Sequence, residues 1–127
     1  MSKISQVGRV IVPVSDQDQA IAFYTDKLGF SLSADIPFGE GDRWVEVSPP
    51  SGGTAIALTR GQADFQPGRE TGIALTTTDA RAAHAELKQK GIAVDEELMG
   101  GDGTVPLLFG IKDSDGNGLM VVEQPEA

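Results

Sequence analysis

The sequence predicts an α+β fold made of two β-α-β-β-β modules in tandem. In the first half of the chain, a strand-like stretch is followed by a helical pattern and three further strand-like segments, and the second half repeats that order. RVIVPVSD at 9–16 aligns with GIALTTTD at 72–79, an offset of 63 residues, and the same offset places TAIALT at 54–59 over NGLMVV at 117–122. Because self-similarity at a fixed offset is the signature of a duplicated unit, one module in two copies is favoured.

The first module begins with a strand predicted at 7–14, a stretch rich in β-branched residues. Pro13 near its end indicates a sheet edge or a bulge, because proline has no N–H for a sheet ladder. Asp16 is a candidate helix N-cap, and apolar residues then recur at helical spacing until Gly29 ends the helix. The three remaining strands are predicted at 30–36, 43–48 and 54–59.

The second module repeats these signals. A strand is predicted at 71–77, Asp79 is again a candidate N-cap, and Gly91 is expected to end the helix. Further strands are predicted at 92–98, 105–112 and 118–123. We therefore expect a single domain over 1–127, with module one at about 5–60 and module two at about 69–125.

Composition narrows the class of protein. The 127 residues are 39% apolar and 23% charged, which is typical of one globular domain. A net charge of −9 disfavours nucleic acid and anionic membranes as partners, since both attract lysine and arginine patches. The absence of cysteine excludes disulfides and thiolate chemistry, and no apolar run approaches the roughly 18–20 residues of a membrane span. With no visible secretory signal, a cytoplasmic location is expected.

Two motifs carry a family resemblance. VIVPVSDQDQAIAFYTDKLGF at 10–30 is similar to the opening strand and helix of the vicinal oxygen chelate superfamily, which contains glyoxalase I, extradiol dioxygenases, and fosfomycin and bleomycin resistance proteins. DSDGN at 113–117 resembles the closing turn of that family. The resemblance implies the glyoxalase/bleomycin resistance fold, in which the two modules form a curled mixed sheet around a cavity. It says less about function, because one fold hosts many chemistries.

The resemblance also implies where a metal would bind. Metal-dependent members place ligands on the first and last strands of each module, and the matching positions here are Arg9, Ala57, Gly72 and Met120. Metal-binding members have His or Gln, Glu, His and Glu there. Arginine repels a cation, alanine and glycine offer no side-chain donor, and a thioether suits only soft ions. We expect no metal and no other cofactor, as in the bleomycin-resistance branch.

Strand alternation indicates which side chains face the implied cavity. If Arg9 faces inward, so does Ile11. On the strand at 43–48, the valines suit the helix side, which leaves Trp44 and Glu46 facing the cavity. Phe38, in a glycine-rich loop, is expected to be a lid or a dimer contact. The expected ligand-binding set is Arg9, Ile11, Phe38, Trp44, Glu46, Ala57, Gly72 and Met120.

Structural alternatives stay open for these residues. Arg9 and Glu46 are also placed to form a purely structural ion pair, and aromatic residues in strands such as Trp44 are most often core. Met120 is expected to pack as an adaptable apolar side chain. The single histidine, His84, falls on the second helix, where a surface or half-buried position is favoured over a catalytic one.

The sequence and the family resemblance leave three alternative functions. The first is a metal-independent protein of the glyoxalase/bleomycin-resistance type that binds a small organic molecule between the modules. The alternative is an enzyme of the same superfamily, a lyase, isomerase or dioxygenase, that uses Glu46 as general base or an atypical metal site. The third is a structural or regulatory subunit with a filled cavity, which the small residues Ala55, Ala57, Gly72 and Ala74 disfavour. A homodimer is expected in each case.

Overall fold

The computed structural model describes residues 3–124, and the chain divides into two compact units, Met1–Pro67 and Gly68–Ala127. Each unit contains the element order β-α-β-β-β and one four-stranded mixed sheet. The predicted α+β fold of two tandem modules is therefore confirmed. No helix among residues 3–124 is long and apolar enough to cross a membrane.

The first unit forms a sheet in the order β1-β4-β3-β2, in which β1 and β4 are parallel and the other pairs are antiparallel. Pro13 lies in β1 at the edge of this sheet, which is one of the two positions predicted for it. The elements are β1 Arg9–Val14, α1 Gln17–Ala22, β2 Ser31–Phe38, β3 Asp42–Ser48 and β4 Ala55–Arg60.

Helix α1 begins as its sequence predicts and ends less regularly. The Asp16 side chain accepts a hydrogen bond from the backbone N–H of Gln19, as an N-cap does. After Ala22 the backbone widens into a π-type turn, Phe23–Lys27, where the hydroxyl of Thr25 donates to the carbonyl of Ile21. A threonine hydroxyl that bonds the carbonyl four residues back slightly destabilises a helix and often bends it. Gly29 then adopts a positive φ of 79° and redirects the chain into β2.

Alternation in the strands builds the core of the first unit. Val12 and Val14 of β1, together with the helix-side residues of β3 and β4, are fully or almost fully buried. Tyr24 is fully buried as well and packs edge-on against Phe23 and Phe30. The opposite face of the sheet is open over much of its area. The helix-side residues of β3 and β4 are Val45, Val47, Ile56 and Leu58.

The second unit has the matching sheet order β5-β8-β7-β6, with β5 and β8 parallel. The Asp79 side chain caps α2 by accepting from the N–H of Ala82, as predicted. The elements are β5 Glu70–Thr77, α2 Ala80–Gln89, β6 Ala93–Val94, β7 Leu108–Lys112 and β8 Gly118–Glu123.

The repeat register holds in most of the two parallel ladders. Ile11 pairs with Ala57 in the first unit, and Ala74 pairs with Met120 in the second, which is the predicted offset of 63 on both strands. The register fails at Gly72. Between the partners of Glu70 and Ala74 the β5–β8 ladder shifts, and Gly72 sits in this irregularity with a φ of 75°. Gly72 is therefore not equivalent to Arg9 in the sheet.

Two predicted strands were too long. The strand predicted at 92–98 is reduced to Ala93–Val94, and the strand predicted at 105–112 begins at Leu108. The reason lies at Asp95, whose carboxylate accepts the backbone N–H of Gly110 at 2.8 Å. The Asp95 carboxylate thus takes the backbone N–H of Gly110 that a strand carbonyl would otherwise accept, and the β6–β7 ladder ends there. It resumes only as an isolated bridge between Met99 and Leu108.

The DSDGN segment is a turn with a buried polar network. The Asp113 carboxylate accepts the backbone N–H groups of Asp115 and Asn117, both at 2.9 Å, and the Asn117 side-chain amide at 3.0 Å. The Asn117 side-chain oxygen accepts the N–H groups of Gly68 and Arg69. Asn117 thereby anchors the start of the second unit. These contacts account for the motif structurally, as the turn interpretation predicts.

Candidate functional site

The open face of the first sheet carries large apolar side chains. Ile11 on β1 and Ile36 and Phe38 on β2 are between 48% and 61% exposed. They share this face because strand side chains alternate and directly paired residues point the same way, as in the pair Ile36 and Trp44. Phe38 was expected in a loop, but it is the last residue of β2 and pairs with Asp42. It is therefore held by a strand pair, which the lid interpretation did not anticipate.

Three of the predicted side chains meet on this face. Oε2 of Glu46 accepts a hydrogen bond from Nε of Arg9 at 2.9 Å and another from the indole Nε1 of Trp44 at 2.6 Å. The Glu46 side chain is 13% exposed, whereas that of Arg9 is 54% exposed. The structure thus forms the Arg9–Glu46 ion pair that the sequence left as an alternative to ligand contact. A proton-accepting role for Glu46 would fall to its other oxygen, since Oε2 already accepts two donors.

Strand β4 passes beneath this ion pair. Arg9 lies on β1 and Glu46 on β3, so the ion pair spans two inter-strand spacings, about 10 Å. The β4 residues in register with them are Ala55, opposite Arg9, and Ala57, opposite Glu46. Both alanines are buried. Their single methyl groups leave room for the Arg9 side chain to cross the strand, which gives Ala57 a structural role at this site.

Beside the ion pair lies a cleft of about 490 Å³. This volume falls in the range of small-molecule sites, about 300–1,000 Å³. Trp44 and Phe38 pack edge to face at one wall, with ring centroids 6.3 Å apart. Phe65, in the turn after β4, supplies a third aromatic ring. The lining residues are Ile11, Phe38, Asp42, Arg43, Trp44, Thr59, Arg60, Gly61, Gln62 and Phe65.

Ion pairs fix the rim of the cleft. Arg60 pairs with Asp42 at 2.9 Å. Arg43 donates two hydrogen bonds to Asp35, at 3.0 and 2.8 Å, and a third to Asp18 of α1. The hydrogen bonds from Arg43 hold the pKa of the Asp35 carboxyl below its ordinary value of 3.8. The two rim arginines are thus neutralised by local carboxylates, so the cleft offers apolar and aromatic surface more than free charge.

The other predicted residues lie in the second unit. Met120 lines a separate concavity of about 330 Å³ together with Met99 and Leu108. Gly72 is exposed in the irregular part of β5. His84 is half-buried on α2, where Nε2 lies 2.6 Å from the carbonyl oxygen of Asp95 and the ring packs edge-on against Phe109. These contacts give His84 a structural position.

The four positions at which the family resemblance implies metal ligands carry residues that do not fit a metal ion. The Arg9 guanidinium is a cation engaged by Glu46, Ala57 is fully buried, and Gly72 has no side chain. Met120 offers one thioether. Within residues 3–124, no group of three or more histidine, aspartate or glutamate side chains is placed to hold a metal.

Sequence reasoning missed two parts of this site. Phe65 and Gln62 lie in a turn whose position over the cleft depends on their mutual backbone hydrogen bonds, and the aromatic residue in an otherwise polar loop was the available signal. Gln17 was also missed. Its buried amide donates to the carbonyl oxygens of Arg43 and Leu58, both at 2.9 Å, and so ties α1 to β3 and β4 below the cleft.

Comparison with known proteins identifies the class. Residues 6–121 match the model of the Glyoxalase/Bleomycin resistance protein/Dioxygenase superfamily, and the chain belongs to that superfamily. Among solved structures, it is similar to TnmS3, an antibiotic binding protein from Streptomyces sp. CB03234, with 34% identity, coverage of 99% of this chain and 100% of that one, and a TM-score of 0.84.

Two further relatives span almost the whole chain. A member of the same superfamily from Sphaerobacter thermophilus is 31% identical, covers 95% of this chain and 98% of its own, and superimposes with a TM-score of 0.87. The uncharacterized protein YetH of Bacillus subtilis is 29% identical over 127 residues, which cover 94% of this chain and 99% of that protein. Each of these matches spans almost the whole of both chains.

Proposed function

We propose that this protein binds a small aromatic organic molecule of the antibiotic type, without a metal, in the cleft on the open face of its first sheet. The observation that carries the proposal is the exposed aromatic and aliphatic lining around Trp44. Phe38 is 61% exposed although it belongs to a strand, and Ile11 and Phe65 complete an apolar surface beside it. Exposed apolar surface of this kind costs free energy in water and is typical of a binding site.

The relatives support the same function. TnmS3, with 34% identity over nearly all of both chains, is described as an antibiotic binding protein. A protein that sequesters a small molecule needs affinity for it and no chemical step. A cleft lined by aromatic residues, with its arginines already paired to carboxylates, meets that need. The paired state of Arg43 and Arg60 favours recognition through stacking and apolar contact over binding of a strongly charged group.

Metal independence is part of the proposal. It is supported by the side chains at Arg9, Ala57 and Met120, the three of the four positions discussed above whose register the structure keeps, because none of them is a carboxylate or an imidazole. Thermal melting of chelator-treated protein with Mn²⁺, Ni²⁺, Zn²⁺ or Fe²⁺ tests this directly. An ion that binds only the folded state raises the melting temperature by mass action, so we expect no saturable rise. A clear rise with one of these ions would overturn this part of the proposal.

Ligand binding is tested through the single tryptophan of the chain. Prodan, a small neutral naphthalene dye that accepts energy from tryptophan, is titrated into the protein while Trp44 emission is recorded. Saturable quenching is expected. Phe38→Ala should weaken binding about tenfold, because an edge-to-face aromatic contact and its buried area are lost. Phe109→Leu serves as a control in the core of the second unit. Emission that does not change with prodan would refute binding at this cleft.

A further inference from the structure

We propose that Glu46 and Arg9 are positioning residues that hold the Trp44 indole in place as a wall of the cleft. The effect of this positioning on ligand affinity rests on the proposed function, whereas the positioning of the indole does not. The sequence offered Glu46 as a ligand contact and, under the alternative enzymatic function, as a general base. The geometry points to a different role, because the carboxylate oxygen that receives Arg9 also receives the indole N–H.

The first step is the contact between Glu46 and Trp44. They are two residues apart on β3, so their side chains project from the same face of the sheet. The indole Nε1 lies 2.6 Å from Oε2 of Glu46, and a carboxylate acceptor makes such a hydrogen bond stronger than one between two neutral groups. Since this bond fixes one edge of a flat ring, it restricts rotation of the indole about its side-chain torsions.

The second step is the contact between Glu46 and Arg9. Nε of Arg9 lies 2.9 Å from the same Oε2, after the arginine side chain has crossed β4 over the small residues Ala55 and Ala57. Glu46 is the sheltered partner and Arg9 the exposed one. Arg9 therefore approaches the carboxylate from the β1 side and Trp44 from its own strand. The carboxylate is held between two donors that come from different strands.

The fixed indole of Trp44 presents a restricted part of its surface to a ligand. With its N–H bound to Glu46, Trp44 can offer a ligand only its ring faces and its C–H edge. Phe38 packs against it with an interplanar angle of 66°, so the two rings form a corner of the cleft. When the indole is already held in place, binding does not have to order it, so stacking of a ligand costs less side-chain conformational entropy. Glu46 should thus influence affinity without touching the ligand.

The test uses the single indole N–H signal that a one-tryptophan protein gives in a ¹H–¹⁵N spectrum. Its rate of exchange with solvent is measured in the wild type and in Glu46→Ala, Glu46→Gln and Arg9→Gln, along with prodan affinity. Glu70→Ala is the matched control, because Glu70 pairs with Lys112 in the second unit and its loss removes a surface ion pair far along the chain from Trp44.

In Glu46→Ala we expect indole exchange to be at least about tenfold faster and prodan binding about tenfold weaker, since a charge-assisted hydrogen bond is lost. Glu46→Gln keeps an acceptor oxygen and should restore both quantities to within about threefold of the wild type. Arg9→Gln should fall between them, because Arg9 is mostly exposed. Glu70→Ala should change neither quantity.

Two outcomes would overturn the inference. One is indole exchange in Glu46→Ala that matches the wild type in a protein shown to be folded by circular dichroism. The other is equal loss in Glu46→Gln and Glu46→Ala, since the amide oxygen should replace the acceptor. Failure of the wild type to bind prodan, with the exchange pattern intact, would overturn the proposed function and uphold the positioning of Trp44.

Discussion

Replacing Gln17 with Met should lower the free energy of unfolding by about 2–4 kcal/mol. The buried Gln17 amide donates two hydrogen bonds of 2.9 Å, one to the carbonyl oxygen of Arg43 and one to that of Leu58. The β3–β4 ladder pairs Glu46 with Ala57 and Val47 with Ile56. The carbonyls that accept from Gln17 lie beyond that stretch. Each lost bond removes about 1 kcal/mol, and a buried carbonyl left without its donor adds about 1 kcal/mol or more.

Methionine keeps the length of the side chain, so the substitution removes the hydrogen bonds without opening a large cavity. Urea unfolding monitored by circular dichroism gives the change in free energy. Gln19→Met on the exposed side of α1 is the matched control and should shift the free energy by less than about 0.5 kcal/mol. If Gln17→Met changed stability no more than this control, the proposed tie between α1 and the sheet would be wrong.

Three further changes have defined outcomes. Ala57→Leu should lower the free energy of unfolding in urea by about 1–3 kcal/mol, because a branched side chain has no room beneath the ion pair, whereas Ala57→Ser should cost less. Arg43 lowers the pKa of Asp35, so this pair stabilises the fold above the unfolded pKa near 3.8 and loses that effect as pH falls. Between pH 6 and pH 3 the melting temperature should therefore fall further for the wild type than for Asp35→Asn, as measured by thermal melts. Asn117→Ala should cost about 2–4 kcal/mol in the same urea assay, through three lost side-chain hydrogen bonds, and Ser114→Ala in the same turn should have little effect.

Much of the fold was readable because its signals are local. A capping aspartate and a terminating glycine act within a few residues, and Asp16, Asp79 and Gly29 behave as the sequence predicted. The repeat added long-range information, since the same offset links the strand pairs of both units. Strand ends were predicted less well where a side chain competes with the ladder. Asp95 does so at Gly110, and the hydrophobic pattern of 92–98 contains no sign of it.

The candidate site was readable only in part. The period of two along β3 indicated that Trp44 and Glu46 share a face, and the structure brings them into hydrogen-bond contact. The partnership with Arg9 depends on strand order, because β4 lies between their strands and its alanines permit the crossing. Phe65 depends on a turn that folds back after β4. Neither the contact of Glu46 with Arg9 nor the placement of Phe65 is encoded by spacing along the chain.

The sequence by itself determined the duplicated β-α-β-β-β plan, the caps of both helices and the family resemblance. These follow from residue type, period and repeat, which are properties of the chain before it folds. Only the tertiary structure decided that one carboxylate oxygen of Glu46 serves both Arg9 and Trp44, and that aromatic residues from β2, β3 and the turn after β4 line one cleft. The Arg9–Glu46 contact joins residues 37 positions apart, and its existence depends on strand order and register that no local pattern specifies.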